Sequence, residues 1–330
     1  MKFLAAKLTL FTALAVVSGR ASAVGGPPMP AKGSFLYDLS SSTGPATSSW
    51  ASLTYDRDHR EVFVVDTTDG TVGIFNDAGM EVFRFGDDSD LGAVIAVAAL
   101  EDGDLLALSY LAGKPKLFRC NFRGELKGEV KLEGVPAEIS GSFSPTALVY
   151  QNQKLYLADK GGMKVVVADL SGTCLASFDL LKLMKIEAKH RNDATMHAFN
   201  VDHEGNLLFT DAPLFKVFVV SPAGAIRSFG VHGGSPGKFN ITGGVARDEQ
   251  GRFFVSDVLR GVVSVFDQDF EFLGDFGERG WAPGQLIAPL DLAVADGKVF
   301  VSQSAGRGVS VFKYTVELPA TVDVHQQPQS

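Results

Sequence analysis

Histidine and aspartate are the residues through which this 330-residue chain could do chemistry. Its six histidines are His59, His190, His197, His203, His232 and His325. A catalytic zinc takes three protein ligands and keeps one position open, and calcium takes six or more oxygens, so either ion needs several such groups to converge. Four aspartates, Asp66, Asp159, Asp211 and Asp257, each close a short apolar run and precede turn residues. A carboxylate in that place bonds the backbone two residues on and holds the turn. Ser109 and Gln303 occupy the corresponding places elsewhere, and a hydroxyl or an amide suits a turn better than a metal. The Gly-x-Ser-x-Gly nucleophile motif is absent. Gly233-Gly234-Ser235-Pro236-Gly237 is glycine-rich but opens no helix, so it reads as a turn and not a phosphate loop. Without CxxC or CxxCH, neither a redox pair nor a zinc knuckle nor a c-type haem is indicated, and no cofactor is expected.

A second group of candidates is cationic. Residues 180–195 carry Lys182, Lys185, Lys189, His190 and Arg191, with Leu180, Leu181, Met184 and Ile186 able to form an apolar stripe on one or two helical turns. The segment is a basic spot on an acidic protein, since Lys and Arg number 30 against 38 Asp and Glu, for a formal charge of −8. Such a chain gains nothing from counterion release on a phosphate backbone, so nucleic acid is excluded as a partner. Lys160, Lys164, Arg260, Arg279, Trp281 and Arg307 are expected on the same face. A basic rim with an aromatic could receive an anionic ligand or an acidic partner; the plainer alternative is a solvated loop whose charges offset acidic neighbours.

The elements that must position these residues follow from a repeat. One apolar phrase recurs at Val62–Asp66, Leu105–Ser109, Leu155–Asp159, Leu207–Asp211, Phe253–Asp257 and Val299–Gln303, with spacings of 43, 50, 52, 46 and 46 residues. Each unit holds about four strands. In the fifth, residues 244–248, 252–257, 262–266 and 270–276 are strand-like and separated by Gly- and Asp-containing turns. A period in the forties with four strands per unit predicts a β-propeller, and six units predict a closed six-bladed ring. In such a ring the first strand of each blade lines the axis. Counting back from the repeated phrase places Ser52, Ala96, Ala147, Ala198, Gly244 and Asp291 there. Only Asp291 is charged, and His197 is one step from the ring; these two are the residues to test for catalysis. His59 and His203 fall in first turns, on the opposite face.

The stretches Gly230-Val-His-Gly-Gly-Ser-Pro-Gly-Lys-Phe-Asn-Ile-Thr-Gly-Gly-Val-Ala246 and Gly277-Glu-Arg-Gly-Trp-Ala-Pro-Gly-Gln-Leu-Ile-Ala-Pro-Leu-Asp-Leu-Ala293 resemble the inter-blade stretch of NHL repeats, as does the Val265-Phe266-Asp267 that follows the first. The resemblance covers roughly residues 45–315 and implies an all-β six-bladed propeller of four-stranded antiparallel blades. The family usually places Asn and Arg in the turn after the repeated Asp, whereas this chain has Asp69 and Thr71, Gly162 and Lys164, or Arg260 and Val262. The amidating lyase of that family holds zinc through several histidines from different blades. Here His197 alone sits at a channel-like position, so a three-histidine metal site is not expected.

At the N-terminus Lys2 and Lys7 precede an uncharged apolar run of about ten residues, 8–17, too short to span a bilayer, and Ala21-Ser22-Ala23 follows as a small-x-small cleavage site. This reads as a secretory signal over residues 1–23, and predicts an exported, periplasmic or extracellular product with no transmembrane segment. Residues 24–44 contain a strand, 34–39, expected to close the ring from the N-terminal side; 45–315 form the propeller, and 316–330 a polar tail. Cys120 and Cys174 fall in adjacent blades, where bridging distance is not assured. The expected function is non-catalytic binding of a protein or small ligand by a monomeric disc. The alternative is a metal-dependent lyase or lactone hydrolase, and a third possibility is an accessory to exported electron-transfer proteins.

Overall fold

The computed structural model describes residues 31–42, 44–47, 51–86, 90–187, 191 and 194–316; the expected signal and most of the polar tail lie outside them. Six four-stranded antiparallel sheets follow one another along the chain. Blade one is Ala51–Asp56, Glu61–Asp66, Thr71–Phe75 and Glu81–Phe85; blade two is Ala93–Ala99, Leu105–Leu111, Lys114–Cys120 and Leu126–Val130. Blade three is Ala147–Gln151, Lys154–Asp159, Lys164–Ala168 and Cys174–Asp179; blade four is Met196–Val201, Leu207–Asp211, Lys216–Val220 and Ile226–Phe229. Blade five is Thr242–Arg247, Phe253–Asp257, Val262–Phe266 and Phe272–Phe276. Blade six has Pro289–Ala295, Lys298–Gln303 and Val309–Val316, and its outermost strand is Ala31–Asp38 from the N-terminal side, antiparallel to Val309–Val316. Among the described residues no helix is long and apolar enough to cross a membrane.

The first strands touch one another in succession, and that of blade six touches that of blade one, so the ring is closed. Closure leaves only short protected sheet edges. Six apolar clusters fill the spaces between neighbouring blades. The middle strands therefore have both faces covered, which is why runs such as Phe253–Asp257 and Val262–Phe266 are buried throughout while outer strands such as Leu126–Val130 are largely exposed. Phe suits this packing because a flat ring fills the gap between two sheets. Between blades four and five, Phe229, Phe239, Phe253 and Phe266 are all buried, with the Phe229 and Phe266 rings 4.9 Å apart. Burying one such side chain contributes about 1.5–3 kcal/mol.

The repeated aspartates hold turns and links. Asp257 accepts from the N–H groups of Leu259 (3.1 Å) and Arg260 (3.0 Å) in its own turn, and from Asn240 (2.7 Å) in the link that enters the blade. Asp211 does the same with Leu214 and Thr195, both at 3.0 Å. In blade six the Gln303 amide oxygen accepts from the Ile287 N–H at 2.7 Å.

The residue before the repeated position stitches blades together. The first strands of blades two, four, five and six each contain a bulge, at which the pairing with the second strand slips by one residue. A bulge leaves backbone groups without ladder partners, and a buried N–H must find another acceptor. Thr210 Oγ1 accepts from the Ala198 N–H at 3.1 Å and donates to the Gly243 carbonyl of blade five at 2.7 Å. Ser256 Oγ accepts from the Gly244 N–H at 2.8 Å and donates to the Pro289 carbonyl of blade six at 3.1 Å. Ser302 Oγ accepts from the Ala51 N–H of blade one at 2.9 Å.

Candidate functional site in the axial cavity

A cavity of about 1190 Å³ runs along the axis. Four of the six positions counted back from the repeat, Ser52, Ala147, Ala198 and Asp291, line it. The other two do not, and bulges explain both. In blade two the extra residue is Ile95, which lines the cavity in place of the buried Ala96. In blade five Gly244 turns into the contact with blade six, where a Cβ would stand 2.6 Å from the Leu292 nitrogen; only glycine allows the two backbones to approach so closely.

The bore is not plain. Asp291 and His197 both face it, and Lys160 joins them. Lys160, read from the sequence as a rim residue, lies in the turn after the second strand of blade three, beside Asp159, whose carboxylate fixes that turn by accepting from Gly162 (2.7 Å) and Ser144 (3.1 Å). The signal that could have found it is the residue following each repeated phrase: Thr67, Tyr110, Lys160, Ala212, Val258 and Ser304. Three of these, Thr67, Tyr110 and Lys160, line the cavity, and the lysine is the one charged member of the set. Blades three and six stand opposite each other in a six-membered ring, so Lys160 and Asp291 confront each other across the axis, with His197 on the neighbouring blade four.

The electrostatics follow from enclosure. Asp291 keeps part of its surface open to the cavity, although protein surrounds it on all sides. Burial pushes its carboxyl up to about 6, while the N–H groups of Leu53 (3.0 Å) and Leu292 (2.9 Å) and the Lys160 charge pull the other way. Burial holds the Lys160 ammonium below the ordinary lysine range, opposed by Asp291. Burial, together with the nearby Lys160 charge, also holds His197 below the ordinary histidine range, so its ring is neutral at pH 7. Lys160 makes no hydrogen bond and no ion pair with any described residue.

The other histidines do not converge. His59 sits in the first turn of blade one, its Nδ1 2.8 Å from Asp56. His203 lines the far end of the cavity. His232 packs its ring 4.2 Å from that of Phe215. His190 and His325 lie outside the described residues. Among the described residues no group of three or more His, Cys, Asp or Glu side chains is disposed to hold a metal ion.

The rim cations form two separate groups. On the blade three to four link, Lys182 pairs with Asp179 at 3.4 Å, which also caps the helical turn Leu180–Leu183 by accepting the Lys182 N–H at 3.1 Å. Lys185 and Arg191 are exposed, and Lys189 and His190 lie outside the described residues. Around blades five and six, Arg260 pairs with Asp275 and donates to the Lys238 carbonyl at 3.3 Å. The adjacent Gly261 backs onto Arg279, whose side chain is exposed. Arg307 donates to the Trp281 carbonyl at 2.9 Å, with its guanidinium 6.0 Å from the centre of the Trp281 ring. Lys164 does not belong to the rim: it is buried, and its Nζ donates to the Glu138 (3.1 Å) and Ile139 (3.2 Å) carbonyls and to Ser142 Oγ (2.9 Å). Cys120 and Cys174 are free thiols, the first buried and the second partly exposed.

No family model and no curated protein matches the chain. Solved structures do. A structural-genomics protein of unknown function from Bacteroides thetaiotaomicron is 13% identical with a TM-score of 0.61, over 86% of this chain and 76% of that one. Virginiamycin B lyase from Staphylococcus aureus is 12% identical with a TM-score of 0.53, over 80% of each chain. A putative gluconolactonase is 16% identical with a TM-score of 0.55, over 88% of this chain and 94% of that one. Likeness at these identities speaks for fold and not for chemistry, and with the sheet topology it establishes the chain as a six-bladed β-propeller of four-stranded antiparallel blades.

Proposed function

We propose that the chain is an exported propeller of NHL type that works by binding, and that its ligand is a small molecule held in the axial cavity. The carrying observation is the unpartnered Lys160 at the wall of a cavity of about 1190 Å³. Ligand pockets are commonly largely apolar spaces with a few placed polar groups. Here the walls include Leu53, Ile95, Ala147 and Ala198, and the placed groups are Lys160, Asp291 and His197. An enclosed lysine nitrogen with no hydrogen-bond partner among the described residues costs free energy, and a ligand oxygen that meets it recovers that cost. The ligand that fits has an apolar body and one oxygen-bearing end.

Anilinonaphthalene sulfonate, an apolar anion, tests this reading. One equivalent should bind the native protein, binding should be lost in Ala147→Trp, which plugs the cavity, and it should weaken in Lys160→Ala. Binding that survives both changes would place the dye elsewhere and refute the reading.

The second reading, a metal-dependent lyase or lactone hydrolase, is favoured by one observation: Asp291 and His197 face the same cavity. Zinc or calcium retained at one equivalent by purified protein would favour it over simple binding.

A further inference from the structure

We infer that Lys160 is a nucleophile that captures an aldehyde or ketone inside the axial cavity as an imine. The inference rests on the reading of that cavity as the ligand site, and narrows the ligand to a carbonyl compound with an apolar body.

Placement is the first support. Asp159 locks the turn from which Lys160 departs, and the lysine enters a space walled by Leu53, Ala147 and Ala198, small enough residues to leave room for a ligand beside the amine. The second support is a contrast within the same blade. Lys164, four residues on, has three oxygens around its Nζ, each accepting from it. Lys160 has none among the described residues. Its nitrogen is therefore available, and burial favours the uncharged amine, which carries the lone pair an electrophile needs. The third support is that two proton carriers share the space: Asp291 from the opposite blade, whose carboxyl is pushed up to about 6, and the neutral ring of His197. Imine formation needs such carriers in both directions.

The step balances without oxidant or reductant. The Lys160 lone pair forms a C–N bond to the carbonyl carbon as the C=O π pair moves to oxygen. Transfer of a proton from nitrogen to that oxygen gives the carbinolamine. Protonation of the hydroxyl by Asp291 in its acid form lets water leave with the C–O bonding pair, the nitrogen lone pair closes C=N, and the remaining N–H proton returns to Asp291, with the neutral His197 ring able to relay it. Amine and carbonyl become imine and water.

The test uses benzaldehyde with sodium cyanoborohydride at pH 7, followed by digestion and mass spectrometry. Reduction traps the imine as a benzyl group on the lysine that formed it. Lys160 should be labelled faster than the exposed Lys182, because burial favours the free amine at Lys160. Benzoate, which has the shape but no electrophilic carbonyl, should protect Lys160 and leave Lys182 unchanged. Lys160→Arg, verified to keep the native melting temperature, should remove the fast adduct; the benzoate arm needs no variant and decides the matter if that protein misfolds. Labelling that tracks exposure, with Lys160 slow, overturns the imine. If benzoate then still displaces anilinonaphthalene sulfonate in an Ala147→Trp-sensitive manner, the cavity reading survives and the covalent step alone is wrong. Labelling of Lys160 that Ala147→Trp and benzoate leave untouched overturns both.

Discussion

Replacing Asp291 by Asn should change the stability of this protein by an amount that depends on pH in one direction only. The carboxyl is pushed from an ordinary 3.8 up to about 6 by burial at the axis. The native state therefore holds its proton over a range of pH in which the unfolded chain has already released it. Stability falls as pH rises wherever the native state binds more protons than the unfolded state. The native protein is thus favoured by this group below about pH 4, loses that advantage between about 4 and 6, and is level above. At about 1.4 kcal/mol for each tenfold change in the proton equilibrium, the interval corresponds to roughly 3 kcal/mol. Asn carries no titrating proton, so this slope disappears in the variant. The amide also turns one N–H pair toward the backbone donors of Leu53 or Leu292, a cost of about 1–3 kcal/mol that does not vary with pH. The difference between variant and parent, taken from urea midpoints at half-unit steps from pH 4 to 8, should therefore move by roughly 3 kcal/mol in favour of the variant as pH rises, and then stay flat above about 6. A difference that is constant across the range, or that moves the other way, would show that Asp291 is as solvated as a surface carboxylate and would remove the electrostatic case for the axial cluster.

Two other outcomes follow from the packing and the thiols. Ser256→Ala leaves the Gly244 N–H and the Pro289 carbonyl without their partner at the blade five to six contact, and should cost about 1–3 kcal/mol by urea denaturation. Ser109→Ala, whose hydroxyl has no partner although it is fully buried, should cost less than about 0.5 kcal/mol; equal losses would mean the hydroxyl staples contribute nothing. Burial pushes the Cys120 thiol up to about 12, with Asp104 adding to the effect. Iodoacetamide at pH 8 should therefore label Cys174 in the native protein and Cys120 only after denaturation; equal native rates on peptide mapping would contradict the burial of Cys120.

The sequence by itself determined the number of blades and the make-up of each. An apolar phrase repeated at spacings of 43 to 52 residues can bury its two faces only against copies of itself. The turn role of Asp66, Asp159, Asp211 and Asp257 was legible for the same reason, since a carboxylate next to turn residues acts on its own backbone. What lines the axis was decided by tertiary structure. The bulges in four first strands brought Ile95 inward and Gly244 against Leu292 of the next blade, a contact between blades that no local pattern specifies. Lys160 and Lys164 look alike in sequence, four residues apart in one turn and strand. One meets the carbonyls at the end of the helical turn Ala137–Ser140, and the other projects into the cavity toward a carboxylate on the far side of the ring. Local pattern reports which faces must be buried; only closure of the ring sets which side chains then share the space at its centre.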